Sequence, residues 1–244
     1  MNPLVRRLAH KIESSVSGRL VQPWREHRRF EEHYLARLLK YLNIDCVFDV
    51  GANTGLYALM LREYCGYEGL IISFEPTPAV AAQLKQNSAG DSQWVVRECA
   101  LGLAKGKAVF RTMDSSEGNS FLPLRREEAK DIAISEITVD VERLAEVFPG
   151  LQEQYKFRRP FLKMDTQGYD GAVFRGVGKK LEHVAALQSE VSVISIYDGM
   201  PHWTESVTAY EQAGFGVAGL FPVTLDGCRV IEFDCLMVRA SPKA

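Results

Sequence analysis

Cys46-Val47-Phe48-Asp49-Val50-Gly51-Ala52-Asn53-Thr54-Gly55 is the stretch whose reading decides the fold. A short apolar run of strand type passes directly into a loop that begins and ends in glycine, and residues 56–64 then read as a helix. Strand–helix alternation continues from there. Leu70-Ile71-Ile72-Ser73-Phe74 is a second buried strand closed by Glu75-Pro76, and residues 78–87 read as a helix with Val80, Ala81 and Leu84 on one face. Trp94-Val95-Val96 opens a third strand expected to run on to Cys99-Ala100-Leu101. Residues 161–164 form a fourth strand and 185–191 a fifth. Nearly continuous apolar strands of this kind belong to a parallel sheet covered on both faces. Asp226-Gly227 between two apolar runs is a hairpin signal, so the sheet is expected to end antiparallel.

The expected fold is therefore α/β, with a doubly wound, mostly parallel seven-stranded sheet, helices on both faces and a C-terminal antiparallel hairpin. Residues 101–140 break the alternation. Two strands, 107–112 and 134–139, flank a loop at 113–119 and read as an added hairpin or lid near the ligand crevice.

The chain has 244 residues, 46% hydrophobic and 25% charged, which is the make-up of one globular domain rather than a disordered tail, a coiled coil or a disulfide-stapled miniprotein. Lys and Arg number 29 against 31 Asp and Glu, a net charge of −2. Proteins that live on phosphate contacts carry a basic excess, so nucleic acid is not an expected partner. The five cysteines are odd in number and lack C-x-x-C spacing, which points to a reduced, cytoplasmic protein. No apolar run is long enough to span a bilayer. Residues 1–40 are basic, with Leu4, Leu8 and Ile12, then Tyr34, Leu35, Leu38 and Leu39 at helical spacing. They read as an N-terminal helical extension packed on the main domain, 41–244, with peripheral membrane contact as the sharper alternative.

In an open α/β sheet, ligands bind outside the carboxyl ends of the strands. The 51–55 loop lies there, but it is not the dinucleotide fingerprint: G-x-G-x-x-G needs glycine at 53 and glycine or alanine at 56, where the chain has Asn53 and Leu56. A loop with an acid at its start, Asp49, and a helix N-terminus at its end suits the ammonium and carboxylate of an amino-acid tail better than a pyrophosphate. Glu75 ends the next strand, 20 residues past Gly55, where an acid accepts the hydroxyls of a ribose. Together these features favour a nucleoside cofactor, and S-adenosyl-L-methionine over NAD.

The chain resembles the FkbM-type S-adenosylmethionine-dependent methyltransferases of the class I, Rossmann-like fold. The resemblance rests on 47–55, Phe74-Glu75-Pro76, Ala100-Leu101-Gly102, Asn119-Ser120, 162–170 and Gln188-Ser189-Glu190-Val191, and covers about 45–240. It implies that Asp49, Gly51, Asn53, Thr54 and Gly55 surround the methionine part of the cofactor, that Glu75 and Pro76 hold the ribose, and that Cys99, Ala100 and Leu101 border the adenine. It brings Asn119 and Ser120 into contact with cofactor or acceptor. It also implies methyl transfer to a hydroxyl, on a sugar, glycan or secondary metabolite. Where many members carry Asp-x-Glu-Gly, this chain has Asp165-Thr166-Gln167-Gly168, which weakens any role for residue 167 as a base or metal ligand.

An aliphatic hydroxyl is a weak nucleophile and gains from a base within hydrogen-bond reach. Asp165 and Glu190, each at a strand's carboxyl end, are the leading candidates, with His202 as a third. Two carboxylates without a clear third ligand do not make a divalent-metal site, so no metal is expected. The competing functions are an NAD-dependent oxidoreductase, which lacks its glycine, a nucleic-acid methyltransferase, which lacks a basic face, and a non-catalytic nucleoside-binding scaffold.

Overall fold

A computed structural model of the chain describes residues 23–125, 128 and 132–240. The first strands form where the apolar runs lie: β1 (Cys46–Val50), β2 (Leu70–Phe74) and β3 (Trp94–Arg97), with helices α2 (Leu56–Glu63) and α3 (Pro78–Ser88) between them. After an inserted region come α4 (Leu144–Tyr155), β7 (Pro160–Met164), α5 (Asp170–Val177), β8 (Ala186–Ser192), α6 (Trp203–Gln212), β9 (Phe215–Asp226) and β10 (Arg229–Arg239). Helix α1 (Pro23–Tyr41) precedes them all.

Among the described residues the main sheet has seven strands in the order β3-β2-β1-β7-β8-β10-β9. The first five are parallel, β10 runs antiparallel to β8, and β9 closes the edge as the other arm of a hairpin through Asp226. The strand order reverses at β1, between β2 and β7, so the crevice outside β1 and β7 is the topological place for a ligand.

Side chains alternate across the strands, and each face buries one set. Phe48, Val50, Ile72 and Leu162 pack toward Leu144, Phe148 and Leu151 of α4 and Val173 and Phe174 of α5. Val47, Ile71 and Phe161 pack the other way, against Leu35 and Leu38 of α1, Leu61 of α2 and Leu84 of α3. Phe48 meets Phe148 and Phe157 at ring-centroid distances of 5.7 and 5.4 Å. Of the apolar positions expected in the N-terminal extension, Leu35, Leu38 and Leu39 are buried, and the Tyr34 hydroxyl donates to the Ala218 carbonyl at 2.8 Å. Leu4, Leu8 and Ile12 lie outside the described residues. No described helix is long and apolar enough to cross a membrane.

The single strand expected over 94–101 is in fact two. The Cys99 amide donates to the Arg97 carbonyl at 3.0 Å, a turn that takes the chain out of the main sheet. Ala100–Leu101 then becomes β4, which pairs in parallel with β6 (Ile134–Glu142). β6 pairs antiparallel with β5 (Gly106–Met113), giving a separate three-stranded sheet, β4-β6-β5, around the expected hairpin. Its connecting loop holds a short 3-10 turn at Ser116–Gly118.

Gly51 shows why the loop after β1 must begin with glycine. Its φ is +75°, and a Cβ there would lie 2.0 Å from the Asp165 carbonyl oxygen. The loop packs directly on the end of β7, leaving no room for a side chain. Gly51→Ala should therefore destabilise the protein by about 2–5 kcal/mol, from left-handed strain plus overpacking, read as an earlier urea midpoint. Gly90→Ala, where a Cβ meets nothing within 4 Å, should stay within about 0.5 kcal/mol of wild type. An unmoved midpoint for Gly51→Ala would contradict the packing described.

Candidate functional site

Asp49 on β1 and Lys163 on β7 are direct register partners, and both sit in otherwise apolar strands. Their charged ends meet at 3.1 Å, with side-chain exposures of 0% and 7%. Ser73, opposite Asp49 on β2, donates its hydroxyl to the same carboxylate at 3.0 Å and accepts the Trp94 indole N–H at 2.9 Å. Burial alone would pull the Lys163 pKa down, but Asp49 and then Asp165 override it, and the net shift is upward. The ammonium is also 3.8 Å from Asp165 and 3.4 Å from the Gly51 carbonyl, and lies over the Tyr57 ring at 5.0 Å. One cation thus ties together the end of β1, the glycine loop and the end of β7.

Above this pair opens a cavity of about 340 Å³, within the range of small-molecule sites. One end is walled by Phe74, Glu75, Pro76, Ala100, Leu101 and Phe110. Glu75 is 6% exposed, and each carboxylate oxygen accepts a backbone N–H: Oε1 from Thr77 at 2.9 Å, Oε2 from Asn53 at 3.0 Å. Burial pushes its pKa up while those two hydrogen bonds oppose the shift. Lone pairs remain on both oxygens for vicinal hydroxyls. The 113–119 segment roofs this end: Ser116 donates to Asn53 Oδ1 at 2.9 Å, and Asn119 accepts the Met113 N–H and reaches Thr77.

The other end is carboxylate-rich. Asp165, just past β7, Glu190 on β8 and Asp234 on β10 all line it, and Glu190 and Asp234 are register partners. Gln167 donates through Nε2 to Asp165 at 2.7 Å and to Glu190 at 3.2 Å. Helix α1 closes the wall with Glu31, which accepts the Gln188 amide at 2.8 Å, while Gln188 accepts the Tyr57 hydroxyl at 2.7 Å. Burial, then Glu31, Glu190 and Asp165, push the Asp234 carboxyl well above the usual carboxylate range. Among the described residues no group of three or more His, Cys, Asp and Glu is arranged to hold a metal ion.

The residues present fit a nucleoside donor without phosphates. The Gly51 and Ala52 amides both donate to the Phe74 carbonyl at 3.1 Å, and Asn53 donates to Glu75, so the loop spends its first N–H groups on the protein. Glu75 lines the cavity beside the apolar side chains of Phe74, Pro76, Ala100 and Leu101, a wall suited to a nucleoside.

The structure brings Gly51, Asn53, Glu75, Pro76, Ala100, Leu101, Asn119, Asp165 and Glu190 together on the cavity wall. It does not put Asp49, Thr54, Gly55, Cys99, Ser120 or His202 there. Asp49 lies beneath the loop against Lys163, and the Thr54 carbonyl accepts Asn87. A Cβ on Gly55 would strike Leu84 and Trp94 at 2.6–2.7 Å, which makes that glycine a packing requirement. Ser120 donates to the Gln167 carbonyl at 2.8 Å, and His202 stands at the N-cap position of α6 with Nδ1 2.8 Å from the Thr204 hydroxyl. Lys163, Tyr57 and Asp234 also line the cavity and are not singled out in the sequence, where Gln167 reads only as a lost charge. For Lys163 the signal was there: a lysine inside Phe161-Leu162-Lys163-Met164 must find a buried acid.

No curated protein matches the chain. Solved structures are similar to it at low identity. A methyltransferase FkbM from Methylobacillus flagellatus is 16% identical with a TM-score of 0.48, over 80% of this chain and 43% of that one, so the chain spans less than half its length. A putative O-methyltransferase from Klebsiella pneumoniae is 12% identical, with a TM-score of 0.49 over 98% and 90% of the two chains. An O-methyltransferase from Bacillus cereus, in complex with SAH, is 10% identical, with a TM-score of 0.49 over 97% and 90%. The family described as the methyltransferase FkbM domain matches residues 49–214, most of the chain. The chain belongs to the FkbM methyltransferase family.

Proposed function

We propose that the protein transfers the methyl group of S-adenosyl-L-methionine to a hydroxyl oxygen of a sugar, a glycan or a hydroxylated secondary metabolite. The observation that carries this reading is the pairing of two ends in one cavity, Glu75 at one and the Asp165–Glu190 pair at the other. S-adenosylmethionine supplies an already activated methyl group when bound. Glu75 holds the ribose hydroxyls, Pro76, Ala100 and Leu101 flank the adenine, and Gly51 and Asn53 run beside the methionine portion. With the acceptor oxygen held in line, the donor would supply its methyl group, the C–S electron pair going to sulfur as the C–O bond forms.

The acceptor's proton passes to a carboxylate, for which Asp165 is the leading group and Glu190 the second. Most of the rate comes from holding the oxygen in line with the methyl, where orientation is worth about 7–11 kcal/mol. The carboxylates contribute a further factor of about 10²–10⁴. Five unpaired cysteines suit a reducing compartment, and we place the protein in the cytoplasm.

Calorimetric titration tests the cofactor half. S-adenosylmethionine and S-adenosylhomocysteine should bind, NAD should not, and Glu75→Ala should weaken both sulfur nucleosides by about ten- to a hundredfold. NAD binding without the sulfur nucleosides would return the oxidoreductase reading. The acceptor half is tested by S-adenosylhomocysteine release over a panel of sugars and hydroxylated metabolites. Asp165→Ala should lower turnover by about 10²–10⁴ with S-adenosylhomocysteine affinity held within about threefold. Unchanged turnover in both Asp165→Ala and Glu190→Ala, or a methyl group found on nitrogen or carbon, would overturn oxygen methylation with carboxylate assistance.

A further inference from the structure

Gln167 stands at a point where the chain bends against its own preference. Its φ is +55°, in the left-handed region, and Gly168 follows at +89°. For a long unbranched side chain that conformation costs about 1–2 kcal/mol, and such strain persists where the surroundings enforce it. Here the Ser120 hydroxyl fastens the Gln167 carbonyl at 2.8 Å. The side chain is 6% exposed, its Oε1 faces the Tyr197 hydroxyl at 3.4 Å, and its nitrogen faces two carboxylates. Carboxylates only accept, so the amide orientation is fixed by chemistry: Nε2 offers one hydrogen to Asp165 and the other to Glu190.

We propose that Gln167 is the positioning residue of the acceptor end, its single NH2 group holding Asp165 and Glu190 side by side as fixed acceptors for the proton released in methyl transfer. The proposal rests on the oxygen-methylation reading above and adds a residue to it. Two neighbouring carboxylates repel, and a shared proton would relieve the repulsion at the expense of basicity. A lysine or arginine could hold them, but its charge would make both poorer bases. A neutral amide supplies two donors and adds no charge to that of Lys163, already 3.8 Å from Asp165, so the tether itself does not lower the basicity of the pair. The bend at 167 is what points that amide inward.

The charged and titratable groups around this point are Asp165 and Glu190, then Lys163 beside Asp165, Asp170 of α5, which burial pushes up to about 6 and which also interacts with Asp165, Asp234 across from Glu190, Glu31 of α1 beside Asp234, and Tyr197. With so many acids present, a carboxyl at 167 has a defined electrostatic consequence. Below about pH 4.3 an added glutamate is protonated in the folded and unfolded chains alike and costs nothing by charge. As pH rises the unfolded chain releases the proton while the folded chain retains it, so folded stability falls with pH. Loss of the donor in Gln167→Met acts in the same direction more weakly, because the folded pair then holds protons more tightly than before.

Thermal unfolding of wild type, Gln167→Glu and Gln167→Met from pH 5 to pH 8 tests this without an acceptor. The Tm deficit of Gln167→Glu should widen by about 4 °C or more across that range, and that of Gln167→Met by less. Deficits that do not change with pH in either variant would mean that Gln167 only fills space, and would overturn the proposal. With a hydroxyl acceptor, the acidic limb of the kcat profile should move up by about one pH unit or more in Gln167→Glu, with S-adenosylhomocysteine affinity within about threefold of wild type. A superimposable kcat profile would equally overturn it. Failure of the wild type to bind S-adenosylhomocysteine contradicts the methyl-transfer reading, whereas parallel stability curves contradict the role of Gln167, and neither result produces the other.

Discussion

The buried pair of Asp49 and Lys163 is the constraint on which the site depends. Two charges in the middle of a sheet are costly to desolvate, and they are tolerated only when paired and hydrogen-bonded. The register of β1 against β7 sets them opposite each other, and Ser73 and Trp94 extend the network across β2 to β3. Four neighbouring strands are thereby tied together by polar side chains rather than by packing alone, near the carboxyl ends of β2, β1 and β7 and from the first residue of β3. Because Lys163 also reaches the Gly51 carbonyl and Asp165, the pair fixes the glycine loop relative to the first residue past β7. Those two segments both line the cavity.

From that anchor the cavity divides into two chemistries. Toward β2 the wall is apolar apart from Glu75, whose oxygens are already oriented by two backbone amides. Toward β8 and β10 the wall is anionic and cross-linked by neutral amides, Gln167 between Asp165 and Glu190, and Gln188 between Tyr57 and Glu31. Amides recur here because they satisfy carboxylates without neutralising them. The 113–119 segment and α1 shut the two ends, one through Ser116 and Asn119, the other through Glu31.

Much of this was legible in the sequence where the signal is local. The strand–glycine–helix unit, Glu75 at the end of the next strand, the β5–β6 hairpin and the antiparallel close of the sheet all follow from short-range pattern. Helix α4 was not read, because Pro149-Gly150 looks like a break; yet Leu144, Phe148 and Leu151 fall on one face, and all three are buried. The third strand was overextended because Cys99-Ala100-Leu101 is as apolar as a strand, and the turn at Arg97 leaves no mark in composition. Asp234 and Glu31 could not be placed from sequence, since their meeting depends on where α1 crosses the sheet. His202 has the right chemistry for a base, and the structure sets it at the start of α6, away from the residues that line the cavity.

A double-mutant cycle on Asp49→Asn and Lys163→Met, read by urea unfolding and by S-adenosylhomocysteine affinity, tests the central claim most directly. Each single substitution leaves a buried group without its partner and should cost about 3–5 kcal/mol. The double variant should lose at least about 2 kcal/mol less than the sum of the two single losses, and affinity should fall in every variant because the glycine loop is no longer fixed. Additive losses with unchanged affinity would show that the pair neither couples the strands nor shapes the site.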